Sequence, residues 1–110
     1  MAHATKETYA SFDDMIENSS VPVLVDFYAT WCGPCQMLSK DVLPKVAGAV
    51  GKDKVKLVKI NTEKYPNIAG KYKVEALPTI MLFKDGNVAD RIEGMPNAPQ
   101  LIDRLLYFLQ

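Results

Sequence analysis

The stretch Val21–Ala29 constrains the fold of this chain more than any other. It is a nearly unbroken apolar run, rich in valine, bounded by Ser19-Ser20 on one side and Gly33-Pro34 on the other. Its length and residue types predict a central β-strand buried on both faces. Such a strand needs further strands beside it and helices above and below. The rest of the chain can supply them. Apolar residues make up 48% of the 110 residues, enough for one compact domain. The expected domain spans 1–110, with residues 1–4 as a disordered or expression-derived tail.

Local signals place the other elements. Ser11 with Asp14 reads as a capping box ahead of Phe12, Met15 and Ile16, so a helix is expected near 11–19. A short strand is expected before it, around Thr5–Ala10. A second helix should start at Cys32-Gly33-Pro34-Cys35 and run to about Val50, with Met37, Leu38, Val42, Val46 and Val50 as its apolar face. Pro34 suits an early helical position, whereas Pro44 should kink or break the helix. Val55–Asn61 reads as a strand and Pro66–Lys71 as a short helix. Thr79–Lys84 and Val88–Glu93 flank Asp85-Gly86-Asn87 as a hairpin. Asn97 with Gln100 caps a last helix, whose buried stripe is Leu101, Ile102, Leu105, Leu106 and Leu109. The order β-α-β-α-β-α-β-β-α is that of an α/β fold, a central mixed sheet flanked by helices on both faces. Sites in such sheets gather beyond the carboxyl ends of strands. The Cys-Gly-Pro-Cys segment falls there.

Cys32 and Cys35 are the only two cysteines. As a structural staple they would do little. Closing a four-residue loop is worth about 2 kcal/mol on the entropic estimate, against about 4.7 for a 100-residue loop. A zinc site needs four ligands, and the chain adds only one histidine, His3, in a polar N-terminal tail. The spacing instead suits a reversible dithiol/disulfide pair. The thiolate is the nucleophile in disulfide exchange, and a helix N-terminus stabilises an anion. Cys32, at that terminus with its sulfur outward, is the expected attacking thiol. Cys35, deeper on the same turn, is the expected resolving thiol. Gly33 and Pro34 keep the turn tight.

Three more positions stand out. Asp26 interrupts the apolar run and should be buried, which raises a carboxyl's pKa. It is either an acid/base for Cys35 or a structural carboxylate paired with Lys59, which lies mid-strand on the face of Val55 and Leu57. Pro78, in Ala76-Leu77-Pro78-Thr79, precedes an apolar strand. Only about 5–6% of X–Pro bonds in folded proteins are cis. Trp31, the sole tryptophan, is either core or an exposed contact for another protein.

Thirteen basic and thirteen acidic residues cancel. No basic field therefore awaits nucleic acid or anionic membrane. No apolar run reaches the roughly 20 residues needed to span a bilayer. Met1 to Ser11 has no apolar core of a signal peptide, so the protein is not expected to be secreted. It is either made where it works or given as a mature form. Asn18-Ser19-Ser20 matches a glycosylation acceptor but carries little weight without a secretory signal.

With these residues in view, the chain resembles the thioredoxin family over nearly all its length. The resemblance rests on Trp31-Cys32-Gly33-Pro34-Cys35 after Val23-Leu24-Val25-Asp26-Phe27, on Ala76-Leu77-Pro78-Thr79, and on Leu82-Phe83-Lys84-Asp85-Gly86. It implies a thioredoxin fold and a monomeric protein-disulfide reductase that needs no bound cofactor or metal and is re-reduced by a separate thioredoxin reductase. It implies that Asp26 is the buried acid/base, with Lys59 its neighbour. It also implies that Pro78 is cis and lies against the dithiol, where Leu77 and Thr79 help to hold a substrate strand. Gly94 matches the glycine that lets a partner approach, and Trp31 belongs to the same surface. Lys59-Ile60-Asn61-Thr62-Glu63-Lys64-Tyr65-Pro66, with Glu75-Ala76-Leu77-Pro78, resembles the plastid y-type thioredoxins. That likeness implies the plastid stroma, a ferredoxin-dependent reductase, and targets such as thiol peroxidases and methionine sulfoxide reductases. The alternative is the cytoplasm with an NADPH-dependent reductase. Two departures from the family pattern bear on the second helix and its surroundings. Tyr28 stands where many members have tryptophan. Lys40 stands where many have a kink-forming proline, and a proline occurs instead at Pro44.

Two other readings compete. A secretory oxidase or isomerase shares the fold but usually has a different dipeptide, often with histidine, between its cysteines. A pure binding module would use Trp31, Pro78 and Gly94 without redox turnover, and would keep its function when Cys32 is replaced by serine.

Overall fold

A computed structural model of the chain describes residues 9–110. The first helix, α1 (Phe12–Asn18), starts where expected, with Ser11 Oγ accepting the Asp14 N–H at 3.0 Å. Asp14 does not close a capping box on Ser11. Its carboxylate reaches one residue further back, to the Ala10 N–H at 2.9 Å. Residues 5–8 of the expected first strand lie outside the described residues, as does His3; Tyr9 and Ala10 carry no strand.

The central run forms β1 (Val23–Tyr28), and all but its last residue are buried. Parallel β2 (Lys56–Asn61) lies on one side of it and antiparallel β3 (Thr79–Lys84) on the other. β4 (Asn87–Glu93) completes the order β2-β1-β3-β4 among the described residues. Lys84 pairs with Asn87, leaving Asp85 and Gly86 as a two-residue turn with φ of 54° and 81°. Two successive positive φ values are those of a type I′ hairpin, which explains the Asp-Gly pair.

Alternation along β1 and β3 divides the core. Val23, Val25, Phe27, Met81 and Phe83 face one side and pack with Ile16 of α1, Phe12, Met15, and the Ile68–Val74 region around α4 (Pro66–Lys71). Leu24, Ile80 and Leu82 face the other side, against Leu43, Val46 and Val50 and against Leu101 and Leu105 of α5 (Ala98–Phe108). Fully burying an apolar side chain of this size contributes about 1.5–3 kcal/mol. The two layers on β1 therefore account for why this run sits at the centre. Asn97 and Gln100 form the expected reciprocal cap at the start of α5.

The second helical segment departs from a simple kink. It runs as α2 (Gly33–Met37), a π turn over Leu38–Val42, and α3 (Leu43–Val50). The Leu43 N–H bonds to the Leu38 carbonyl, one residue further back than in an α-helix. Pro44 has no N–H to give, and it falls in the first turn of α3, where that donor is not required. The wider π turn absorbs the irregularity, so the segment continues past Pro44 without a break. Lys40 is exposed within this turn. Lys40→Pro, which puts a proline where many family members have one, should leave disulfide reduction intact. A large change in kcat/KM would show that the π turn governs reactivity.

Candidate active site

The sequence brings the cysteines to the end of β1 and the start of α2. Cys32 is the N-cap of α2, with φ −85° and ψ 111°. Its Sγ accepts the Cys35 N–H at 3.2 Å, and Pro34, without a donor, occupies the first turn. The pair forms a disulfide with Cα atoms 5.2 Å apart. An N–H aimed at Sγ is the arrangement that stabilises a thiolate there when the bond is open. The expected contrast in exposure is smaller than the sequence suggested. Cys32 retains 5% of its surface and Cys35 2%, because both pack with Ala29, Tyr28 and Leu77. What stands open is the rim. Gly33 and Pro34 are exposed and Trp31 is 70% exposed, so the tryptophan is surface rather than core.

The Leu77–Pro78 bond is cis. Leu77 packs against the cysteine cluster, and buried Pro78 passes its carbonyl to the Gly94 N–H at 2.9 Å. Thr79 is fully buried, and its hydroxyl donates to the Ala76 carbonyl. Its side chain thus shapes the loop and offers no surface to a partner. Gly94 has φ +87°, and a Cβ there would meet nothing within 4 Å. The position needs glycine for its backbone, with open space in front of it.

Asp26 lies on the face of β1 that looks toward α2 and α3. It is 0% exposed, and among the described residues neither carboxylate oxygen accepts a hydrogen bond. Burial pushes its pKa up from 3.8 to about 6, and the Lys59 charge partly offsets this. Asp26 and Lys59 are register partners in β1 and β2. Yet the Lys59 ammonium goes elsewhere. It donates to Ser39 Oγ at 2.5 Å and lies 4.8 Å from the centre of the Tyr28 ring. An ion-paired structural carboxylate would have its oxygens bonded, and these do not. A cleft of about 420 Å³ opens beside Cys35, lined by Tyr28, Gln36, Ser39, Lys40 and Lys59 among others. Sequence reasoning did not single out Ala29, Thr30, Ser39 or Gln36, whose side-chain amide donates to the Thr30 carbonyl at 2.9 Å. Ser39 lies four residues after Cys35, on the same helix face, and that spacing was its only signal.

A disulfide at a helix start, a buried carboxyl on the preceding strand and an open rim beside the pair make up the candidate site. Comparison with known proteins agrees. The thioredoxin family model matches residues 3–106. Thioredoxin Y1, chloroplastic, from Arabidopsis thaliana is 58% identical over 102 residues, covering 93% of this chain and 58% of that protein. This chain spans about three fifths of the length of the chloroplastic Y-type relatives from Arabidopsis thaliana and rice. The structure of chloroplastic thioredoxin z superposes with a TM-score of 0.75 at 31% identity, over 86% of this chain and 83% of that one. A chain from a structural study of thiol resolution in yeast mitochondrial 1-Cys peroxiredoxin, via the glutathione and thioredoxin systems, gives 0.74 at 33% identity, over 87% and 85%. None of the helices among the described residues is long and apolar enough to cross a membrane. By motif, fold and relatives alike, the chain belongs to the thioredoxin family, with Cys32 and Cys35 joined as a disulfide at the position of that family's Cys-Gly-Pro-Cys motif.

Proposed function

We propose that this chain is a dithiol carrier that reduces disulfides in other proteins. The observation that carries the reading is the Cys32–Cys35 disulfide at a helix start, with the Cys35 N–H directed at Cys32 Sγ. The Cys32 thiolate attacks one sulfur of a target disulfide. A mixed disulfide forms and the other target sulfur leaves as a thiolate. Asp26, as carboxylate, takes the Cys35 proton, directly or through water in the adjoining cleft. The Cys35 thiolate then attacks Cys32 Sγ, releasing the second target thiolate. The target gains two electrons and the chain returns to the disulfide form. Trp31, Leu77, Pro78 and Gly94 border the place where the target strand lies, and Thr79 supports that loop from beneath.

A separate thioredoxin reductase restores the dithiol. The chloroplastic relatives favour the plastid stroma as the compartment, and hence a ferredoxin-dependent reductase. Targets of the thiol peroxidase and methionine sulfoxide reductase classes fit the carrier. The peroxiredoxin studied with a neighbouring structure is one such protein in its own system.

Trapping tests the reading. Cys35→Ser keeps the attacking thiol and removes the resolving one. Incubated with plastid extract, it should accumulate mixed disulfides through Cys32 that dithiothreitol releases, with peroxiredoxins and methionine sulfoxide reductases among them. Failure to trap any disulfide-linked protein would overturn the carrier reading.

A further inference from the structure

We propose that Ser39 is a positioning residue, holding the Lys59 ammonium beside Asp26 and thereby setting how readily Asp26 exchanges a proton with Cys35. This rests on the reading of Asp26 as the acid/base of the resolving step.

Lys59 leaves β2 directly beside Asp26, because the two residues are register partners in parallel strands and their side chains share a face. A long, flexible ammonium in that place has two simple options. It can pair with the buried carboxylate or extend into water. It does neither. The Ser39 hydroxyl accepts its hydrogen bond, and the face of Tyr28 lies beneath it. The charge is thus held at the rim of the cleft beside Cys35. There it favours the ionised form of Asp26 without bonding to it.

The cleft beside Cys35, which is neutral in the disulfide, is lined by Ser39 and Lys40 of the π turn and by Lys59. Tyr28 follows on β1, and β3 presents apolar Ile80 as the register partner. Among the described residues, Lys59 is the one charge that contributes to the Asp26 shift. Where that ammonium sits therefore decides the field at the carboxyl.

Without Ser39, only the Tyr28 ring would hold it. An exposed cation–π contact is worth about 0.5–1 kcal/mol, little more than thermal energy. Lysine's ammonium is strongly hydrated and its stem carries large rotamer entropy. It would swing outward, where distance and salt screening weaken its action on Asp26. The helix suits this role for Ser39. Cys35 and Ser39 are about one turn apart and both line the cleft.

The test reads Asp26 itself. With aspartate carboxyls labelled by carbon-13, Asp26 is titrated by NMR in the oxidised protein, where neither cysteine ionises. Ser39→Ala should raise its proton affinity about threefold, half a pKa unit. Ser39→Thr, which keeps the hydroxyl, should leave it at the parent value. In a Lys59→Met background, Ser39→Ala should add nothing. An unchanged or lowered affinity in Ser39→Ala, or a shift that persists without Lys59, overturns the proposal. The acid/base reading is judged separately, from the pH profile of mixed-disulfide resolution. If Asp26→Asn leaves that profile unaltered, Asp26 is not the base, whatever Ser39 does to its titration. If Asp26 is the base, Ser39→Ala should move the profile in step with the titration, and an unmoved profile would overturn the functional half of the proposal.

Discussion

Cys32→Ser is expected to abolish protein-disulfide reduction, with insulin reduction by dithiothreitol falling to the uncatalysed background. The argument is chemical rather than steric. A thiol of ordinary pKa, about 8.5, is already a few per cent ionised near neutrality and is intrinsically nucleophilic, whereas a serine hydroxyl is neither. Serine should still serve the fold, because it is among the best N-cap residues and can accept the Cys35 N–H that Cys32 Sγ accepts at 3.2 Å. The fair comparison for stability is therefore the reduced parent, which likewise lacks the cross-link. The two should unfold within a few degrees of each other. Loss of turnover with an intact fold isolates the attacking sulfur. Undiminished turnover would overturn Cys32 as the attacking thiol, whereas retained partner binding and function without turnover would favour a binding module acting through Trp31, Pro78 and Gly94. Cys35→Ser should differ in kind, reacting once and then stalling as a mixed disulfide.

Much of this architecture was legible because its determinants are local. The Val23–Phe27 run, the Asp85-Gly86 turn and the Asn97–Gln100 cap each carry their instruction within a few residues, and the structure follows each. Where the sequence misled, a competing partner lay just outside the motif. Asp14 was read as bonding to Ser11, but the Ala10 N–H was equally near and became its donor. Pro44 announced an irregularity in the helix. It could not say that the irregularity would be taken up by a π turn ahead of the proline rather than by a bend at it. Cys32 was expected to stand proud, yet packing with Ala29 and Leu77 covers it; the exposed neighbour is Trp31. The two readings of Asp26 were inseparable from the sequence, since strand spacing brings Lys59 beside it either way. The ammonium bonds to Ser39, twenty residues away in sequence, and leaves the carboxylate unbonded, which speaks against an ion-paired Asp26. Such a contact exists only once the helix has docked on the sheet.

Asp26→Asn should uncouple stability from pH and slow the resolving step, and both effects have one cause. In the parent, the folded-state pKa of about 6 lies above the ordinary 3.8, chiefly because burial disfavours the charge. Below pH 3.8 the carboxyl is protonated whether folded or unfolded, and burial of the neutral group carries no charge penalty. As pH rises toward 6, the unfolded chain loses the proton while the folded one keeps it, so stability falls. Above 6 both states are ionised and the loss is complete, at about 3 kcal/mol for a shift of this size. Asparagine has nearly the same shape and no charge. Its unpaired amide costs something, but equally at every pH. Urea unfolding of the oxidised proteins should therefore show the variant gaining about 3 kcal/mol on the parent between pH 3 and pH 7.5. Parallel profiles would mean that folding does not shift the Asp26 pKa. The kinetic effect runs the other way. At pH 7 a thiol of pKa 8.5 is ionised in about one molecule in thirty, so removing the local base can slow resolution by up to about thirtyfold. That loss should shrink as pH rises and solvent takes the Cys35 proton unaided. Measured as target release from a preformed mixed disulfide, a deficit that stayed constant from pH 7 to pH 9 would remove Asp26 from the proton path. A deficit that closes with pH would identify the destabilising buried carboxylate as the group that makes Cys35 reactive.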